Sequence, residues 1–373
     1  MKGLLAPTLA VALALLLAPT AAGPAAARDQ AIARARAFLI AHQNPDGSWG
    51  SARRTKELNI YAPAPGGHHA FRAATTALAL AALCDTTPVE TDDGGAEALA
   101  RGQAWLLDFL PRLRRANQDA IYNVWGHAYA LQALTRLHRR AQDDQVRARL
   151  VAAARDQIRR LEGYASINGG WGYYDFAAHT QRPSGSPNSF TTATVLVALH
   201  EARELGLAAE ERCVRRALQA IQRQRKPDFS YVYSENWRFY PMGDVNRPAG
   251  SLGRSQACNL ALRLWGDEAV TDAVLRDWLD RLLARGGWLD IGRKRPVPHE
   301  SWFLVAGYFF YYGHYYAAGC IEQLPAEARE PYRHRLAEAL ILLQERDGSF
   351  WDYPLYDYHQ AYGTAFALLS LAR

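Results

Sequence analysis

Six copies of one short pattern constrain this chain more than any other feature. In each, a small or polar residue precedes Ala, and Leu follows that Ala three and six places later. The clear copies are Thr76-Ala77 with Leu80 and Leu83, His127-Ala128 with Leu131 and Leu134, Thr192-Ala193 with Leu196 and Leu199, and Thr364-Ala365 with Leu368 and Leu371. Looser ones are Gln256-Ala257 with Leu260, and Ala317-Ala318 with Ile321 and Leu324. They recur at intervals of roughly 50–65 residues, the spacing of a repeated supersecondary unit. Steps of three place these residues along one side of a helix. The surrounding segments, such as ATTALALAALC and TTATVLVALHEA, are apolar on nearly every face, which predicts helices buried all round.

Each buried helix is preceded by a segment with one apolar stripe and one charged face: 29–43, 96–115, 144–163, 209–224, 268–286 and 326–345. The unit is therefore a hairpin of an outer amphipathic helix and an inner buried one. Six such hairpins predict an all-α protein, an (α/α)6 toroid in which inner helices form a barrel ringed by outer ones. The expected organisation is one toroid domain over residues 28–373, preceded by a signal peptide at 1–27. Lys2, an uncharged apolar run and Ala25-Ala26-Ala27 read as that export signal, with cleavage after Ala27 or, second, after Ala22. No later stretch offers about 18 uninterrupted apolar residues, so no membrane span is expected. A secreted or periplasmic location follows from this reading.

A second signature sits at the hairpin turns. HQNPDGSWGS (42–51) and LQERDGSFWD (343–352) both place Gly four residues and an aromatic six residues after Gln. Gly is expected to end the outer helix with positive φ, and Gln to satisfy its orphan backbone groups. NGGWGYYD (168–175) and RGGWLD (285–290) read as degenerate copies. These stretches resemble the QW repeats of squalene–hopene and oxidosqualene cyclases and the related repeats of protein prenyltransferase β subunits. That resemblance implies the terpenoid cyclase/prenyltransferase toroid and a ligand held in a central cavity. The D-x-D-D acid of class II terpene cyclases does not occur. The prenyltransferase zinc set is incomplete: YDYHQAYG places His359 as its His, but His299 and Glu300 stand where D-x-C is expected. The resemblance thus leaves zinc held by His299, Glu300 and His359 as the one metal to test. Cys320, Glu322 and Gln323 sit at the offsets of the C-G-E-Q thioester of complement-like toroids, but inside a regular helix, where the strained turn of a thioester does not form.

The loops leading into the inner helices are long and rich in polar and aromatic residues, as functional loops are. Read together, they should bring to one rim the acid–base candidates His359, Asp357, His299, Glu300 and His127, and the ligand-binding candidates Arg247, Arg254, His69, Asp175 and Tyr362. Histidines titrate near neutral pH and serve as general acids or bases; arginine holds a carboxylate or phosphate bidentately. His314, deep in the aromatic run YFFYYGHYYAAG, reads as a buried, satisfied histidine. The net charge of +6 is spread over helix faces, with no nucleic-acid module, so nucleic acid is not an expected partner. Four scattered cysteines give no disulfide framework.

The expected function is an exported toroid binding an apolar or isoprenoid-like ligand, with catalysis as the leaning. The alternatives are a polysaccharide lyase or hydrolase on the same barrel, and a non-catalytic periplasmic binding or scaffold protein.

Overall fold

The computed structural model describes residues 23–56, 65–88, 93–176, 182–284, 286–299 and 304–373. Most of the expected signal segment and Glu300 lie outside them. Among the described residues the chain is helical, with three isolated bridges and no strand.

Six helical hairpins follow one another. Their outer helices are α1 (Pro24–Ala41), α3 (Gly95–Phe109), α5 (Asp144–Tyr164), α7 (Glu211–Gln224), α9 (Asp272–Ala284) and α12 (Ala326–Ile341). Their inner helices are α2 (Gly67–Thr86), α4 (Asn123–Arg140), α6 (Ser189–Glu201), α8 (Pro248–Leu264), α11 (Phe309–Glu322) and α13 (His359–Leu371). A short α10 (Gly286–Asp290) follows α9. The inner helices pack in chain order, and α13 returns to α2, so the ring is closed. This is the expected (α/α)6 toroid.

The two helix classes differ in burial as their sequences require. In α6 every residue from Ser189 to Leu199 is buried. In α7 only Val214, Ala217, Ala220, Ile221 and Gln224 are, at steps of three and four. Small residues let neighbouring inner helices close up. At the crossing of α8 and α11, a Cβ on Gly313 would stand 2.6 Å from the Cα of Gly253.

The two repeated signatures turn out to be halves of one device. The backbone N–H of Trp49 donates to Thr76 Oγ1 at 3.0 Å, that of Trp171 to Thr192 Oγ1 at 2.9 Å, and that of Phe350 to Thr364 Oγ1 at 2.9 Å. The Thr of each inner-helix pattern thus receives the aromatic of its own hairpin turn. Gln43 Nε2 donates to Gly47 O and, across the hairpin boundary, to Ala98 O at 2.8 Å; Gln344 does the same to Gly348 O and Ala31 O. Gly47 adopts φ 93°, and a Cβ there would lie 2.5 Å from the Arg101 carbonyl oxygen of the next outer helix. The signature therefore both turns the chain and clamps adjacent hairpins.

Two corrections concern its copies. RGGWLD is not one: its residues 286–290 form α10 rather than a turn. RKPDFSY (225–231) is one, with Arg225 in place of Gln and Phe229 in place of Gly at φ 59°. Its Asp228 accepts from Ser230 N and Oγ exactly as Asp46 accepts from Ser48.

At the C-terminal ends of the inner helices a charged hub closes the barrel. The buried Arg136 of α4 bonds Asp85 of α2 at 3.0 Å and Glu201 of α6 at 2.7 Å. Arg373 lies over the Tyr315 ring, and Tyr315 Oη donates to Gln132 Oε1. The N-terminal ends are where an opening remains.

Candidate functional site

At those N-terminal ends lies a central cavity of about 180 Å³. This is of the order of the ~150 Å³ apolar cavities that admit a benzene ring. Of the 16 described residues that line it, 12 are aromatic and none is charged. The first turns of the inner helices supply most of them: Phe71 from α2, Trp125 and Tyr129 from α4, Phe190 from α6, Phe309 and Tyr312 from α11, Tyr362 and Phe366 from α13. The rings meet edge to face, as Phe190 does with Phe309 at 5.1 Å and with Tyr233 at 4.9 Å, an arrangement favoured by the ring quadrupoles.

Two polar groupings touch this apolar wall. The first is a carboxyl–phenol pair. Asp352 is fully buried; its Oδ1 accepts from Tyr362 Oη at 2.6 Å and its Oδ2 from the Tyr311 N–H at 3.0 Å. Burial pushes its carboxyl up to about 6, against the pull of those hydrogen bonds. The second is an imidazole–phenol pair. His299 Nδ1 lies 3.0 Å from Leu304 O and its Nε2 lies 2.9 Å from Tyr308 Oη. A carbonyl only accepts, so Nδ1 carries the proton and Nε2 is the acceptor for Tyr308. The hydroxyls of Tyr233, whose ring stands edge-on to His299, and Tyr173 bond each other. Burial, with Arg254 nearby, depresses the His299 pKa, which keeps the ring neutral. Tyr173 and Tyr308 are themselves part of the cavity lining.

The rim candidates divide by position. Tyr362 lines the cavity and His299 stands just behind Tyr308. Arg254 lies under the Tyr233 ring at 5.8 Å, but it does not open to ligand. It is fully buried, and its guanidinium donates to Tyr231 O, Gly250 O, Val245 O and Asn246 Oδ1, so the expected bidentate grip on a ligand anion is not available. Arg247 is the residue before α8, half-buried and outside the lining.

His127 is turned away from the cavity. It occupies the register of Thr76 and Thr192, which faces the outer layer; its Nδ1 bonds Gln157 of α5 at 2.8 Å and its ring stacks on Tyr164. His359 is buried beneath the rim, Nδ1 to Tyr356 O at 2.6 Å and edge-on to Trp351. Asp357 accepts from Ser51 and Arg53 on the outer rim. Asp175 is buried, paired with Arg115 at 3.2 Å. His69 is exposed beside Phe109, lining a separate groove with Asp46, His68, Arg72 and Tyr358. The nine described candidates therefore do not form one cluster. His314 is buried as expected, Nδ1 to Phe310 O at 2.7 Å.

Of the three expected zinc ligands, His299 and His359 are described. Both ring nitrogens of His299 and the Nδ1 of His359 already have protein partners. Among the described residues no three His, Cys, Asp or Glu side chains converge, and Glu300 lies outside them. All four cysteines are free, and Cys320 donates to Gln256 O inside α11.

Asp352, Tyr308, Tyr233 and Tyr173 carry polar groups at or just behind the cavity wall, and none was singled out by sequence. Tyr173, Tyr233 and Asp352 fall in the long loops leading into the inner helices, and Tyr308 opens the aromatic run 308–319. Asp352 looks no different in sequence from Asp347 or Asp357.

Comparison with solved structures gives the fold its relatives. The chain is similar to an inactive variant of the GH76A α-1,6-mannanase of Salegentibacter sp. HEL1_6, with TM-score 0.56 and 9% identity over 92% of this chain and 98% of that one. It is also similar to the family 76 glycoside hydrolase (mannosidase) Bt3792 of Bacteroides thetaiotaomicron, with TM-score 0.52, 12% identity, and 92% and 98% coverage. The type II terpene cyclase MstE from Scytonema aligns with TM-score 0.49 and 16% identity over 93% of this chain and 96% of that one. No protein-family model matches the chain, and no curated protein does. At these identities the likeness is one of fold. The chain is an α/α toroid.

Proposed function

We propose that this protein binds an apolar ligand, an isoprenoid-like chain or a ring of similar bulk, in its central cavity. The observation that carries this reading is the lining: of the 16 described residues, 12 are aromatic and none is charged. Such a wall gives up little on losing water, and each ring face adds dispersion contacts with a hydrocarbon. The volume favours a short prenyl segment or one ring system over a full-length triterpene precursor. The chain is taken as exported on the basis of Lys2 and the apolar run after it. Helix α1 begins at Pro24, so cleavage after Ala22 leaves it whole, whereas cleavage after Ala27 removes its first turn. N-terminal sequencing of the exported protein distinguishes the two.

A carbohydrate reading draws on the fold of the mannanases. The Salegentibacter enzyme's inactive variants replace two consecutive aspartates. Here the described residues of such pairs lie elsewhere: Asp143 caps α5 and Asp93 pairs with Arg36. No acidic residue is among the described residues that line the cavity, which disfavours glycoside hydrolysis by a pair of carboxylates drawn from them.

Trp125 lines the cavity and makes a test direct. Intrinsic fluorescence should change saturably with a short isoprenoid alcohol and stay unchanged with α-1,6-mannotriose. Trp125→Phe should remove the signal while calorimetry still detects binding. Saturable binding of the mannotriose without the isoprenoid would overturn the reading.

A further inference from the structure

We propose that Tyr308 and His299 together form a general base, which takes the proton of an acidic hydroxyl, a phenol or enol, borne by an otherwise apolar ligand. The inference rests on the apolar-ligand reading above and adds to it the polar end of the ligand and what happens there.

Leu304 O fixes the His299 proton on Nδ1, so the only role left to Nε2 is to accept. Tyr308 must then donate to it, and the Tyr308 oxygen becomes an acceptor for a further hydroxyl. A pair polarised this way carries a proton towards His299. Tyr308 is itself part of the cavity lining, so a ligand hydroxyl in the cavity meets the accepting end of the pair.

The imidazole is held for this task. His299 at φ 57° and Leu304 at φ 48° both adopt backbone conformations that L side chains rarely take. Such conformations persist where the surroundings over-determine them, and they gather at functional sites. Here they bring the Leu304 carbonyl onto the ring that it orients.

Charge supplies the other half. Arg254 lies beneath Tyr233, fully buried, and the bonds described for it go to neutral acceptors. Its positive charge is therefore not cancelled by a contacting carboxylate. It favours an oxyanion beside Tyr308 and disfavours the protonated form of His299, so a ligand hydroxyl of low pKa is the one that the site can ionise. Among the described residues, the groups facing His299 are Tyr308, the Tyr233 ring at 5.7 Å, the Leu304 carbonyl and Arg254.

The step balances. The ligand O–H bond breaks and its proton joins the Tyr308 oxygen. The Tyr308 O–H bond breaks in turn, and its proton forms an N–H bond at His299 Nε2. The products are a ligand oxyanion, hydrogen-bonded to Tyr308, and an imidazolium. No oxidant or co-reactant is consumed.

The probes are 4-nitrophenol, a phenol of low pKa, and its methyl ether, added to the full protein at a pH below the ionisation of the free phenol. The absorption of bound nitrophenol reports its ionisation. In the wild type, nitrophenol should show the nitrophenolate band and bind about tenfold tighter than the ether, as a charge-assisted hydrogen bond implies. In His299→Gln and in Tyr308→Phe, nitrophenol should bind in its neutral form with the ether's affinity, while ether binding is unchanged. Unchanged ether affinity, with a wild-type circular-dichroism melt, excludes misfolding as the cause. Wild-type protein that binds nitrophenol in its neutral form overturns the general base while leaving the apolar-ligand reading standing. Failure of both probes to bind overturns the two together.

Discussion

The pairing of each hairpin-turn aromatic with an inner-helix threonine can be tested with Thr192→Val. Valine matches threonine in volume and branching, so packing and helix propensity hardly change. What changes is the partner of the Trp171 N–H, which sits 2.9 Å from Thr192 Oγ1 in a fully buried setting. The Trp171 carbonyl keeps a second donor, the Asn188 N–H at 3.0 Å, so one group is orphaned rather than two. A lost hydrogen bond of about 1 kcal/mol and an unsatisfied buried N–H of about 1–3 kcal/mol bound the penalty. The methyl that replaces the hydroxyl returns up to about 0.8 kcal/mol. The net expectation is a destabilisation of about 2 kcal/mol. Thr192→Ser keeps the hydroxyl, loses one buried methyl and should cost about 1 kcal/mol. Urea unfolding followed by circular dichroism and tryptophan fluorescence measures both. The same order, Val below Ser below wild type, should hold at Thr76 and Thr364, because all three hydroxyls accept from their turn's aromatic N–H. If the valine variants match the wild type, or serine proves the worse substitution, the hydroxyl is not what couples turn to helix.

Other expectations can be checked alongside. Gly47→Ala places a Cβ 2.5 Å from a backbone carbonyl at φ 93°, and should lower stability by more than about 2 kcal/mol. Gly163→Ala, inside α5 with nothing within 4 Å, should raise it by up to about 1 kcal/mol; thermal melts compare the two. His127, His314 and His359 are each held near 4 by burial, below an ordinary value of 6.5. The unfolded chain therefore binds more protons at acid pH, so their contribution is complete above about pH 6.5 and is lost as pH falls towards 4. Melting temperature should fall across that window, less steeply in His314→Gln. Arg136→Met leaves Glu201 and Asp85 without their shared cation and should cost about 3–5 kcal/mol in the same unfolding assay.

The fold was legible because its evidence is periodic. An Ala with Leu three and six places on marks a buried helix wherever it occurs, and six copies count six hairpins. The hairpin turns were harder to read, because their geometry is set by backbone and hydrogen bonds rather than by residue names. Phe229 holds a conformation that Gly47 and Gly348 hold, so the fourth copy carries no glycine to reveal it. RGGWLD has the expected composition but forms a helical turn. The site was less legible still. Whether a histidine near a helix start faces the axis or the outer layer depends on rotation about that helix. His127 could have been assigned outward from its place in the threonine register. Arg254 and Asp352 are defined by what surrounds them in three dimensions: carbonyls from three separate stretches in one case, a phenol and a backbone N–H in the other.

Closure of the ring has a consequence for how the chain is made. In an open array of helical hairpins, each unit can dock on the one before it as it leaves the ribosome. Here α2 has two inner neighbours, and one of them is α13, which is synthesised after the other five inner helices. Arg34 and Ala31 of α1 likewise wait for Glu345 and Gln344. The first hairpin must therefore keep an apolar flank uncovered until the sixth has been made, and the contact of Arg34 with Glu345 spans 311 residues. Removing the last hairpin would not yield a smaller ring but would leave α2 and α11 each with an exposed seam. Such a chain depends on late, long-range docking, the slow and aggregation-exposed kind of folding.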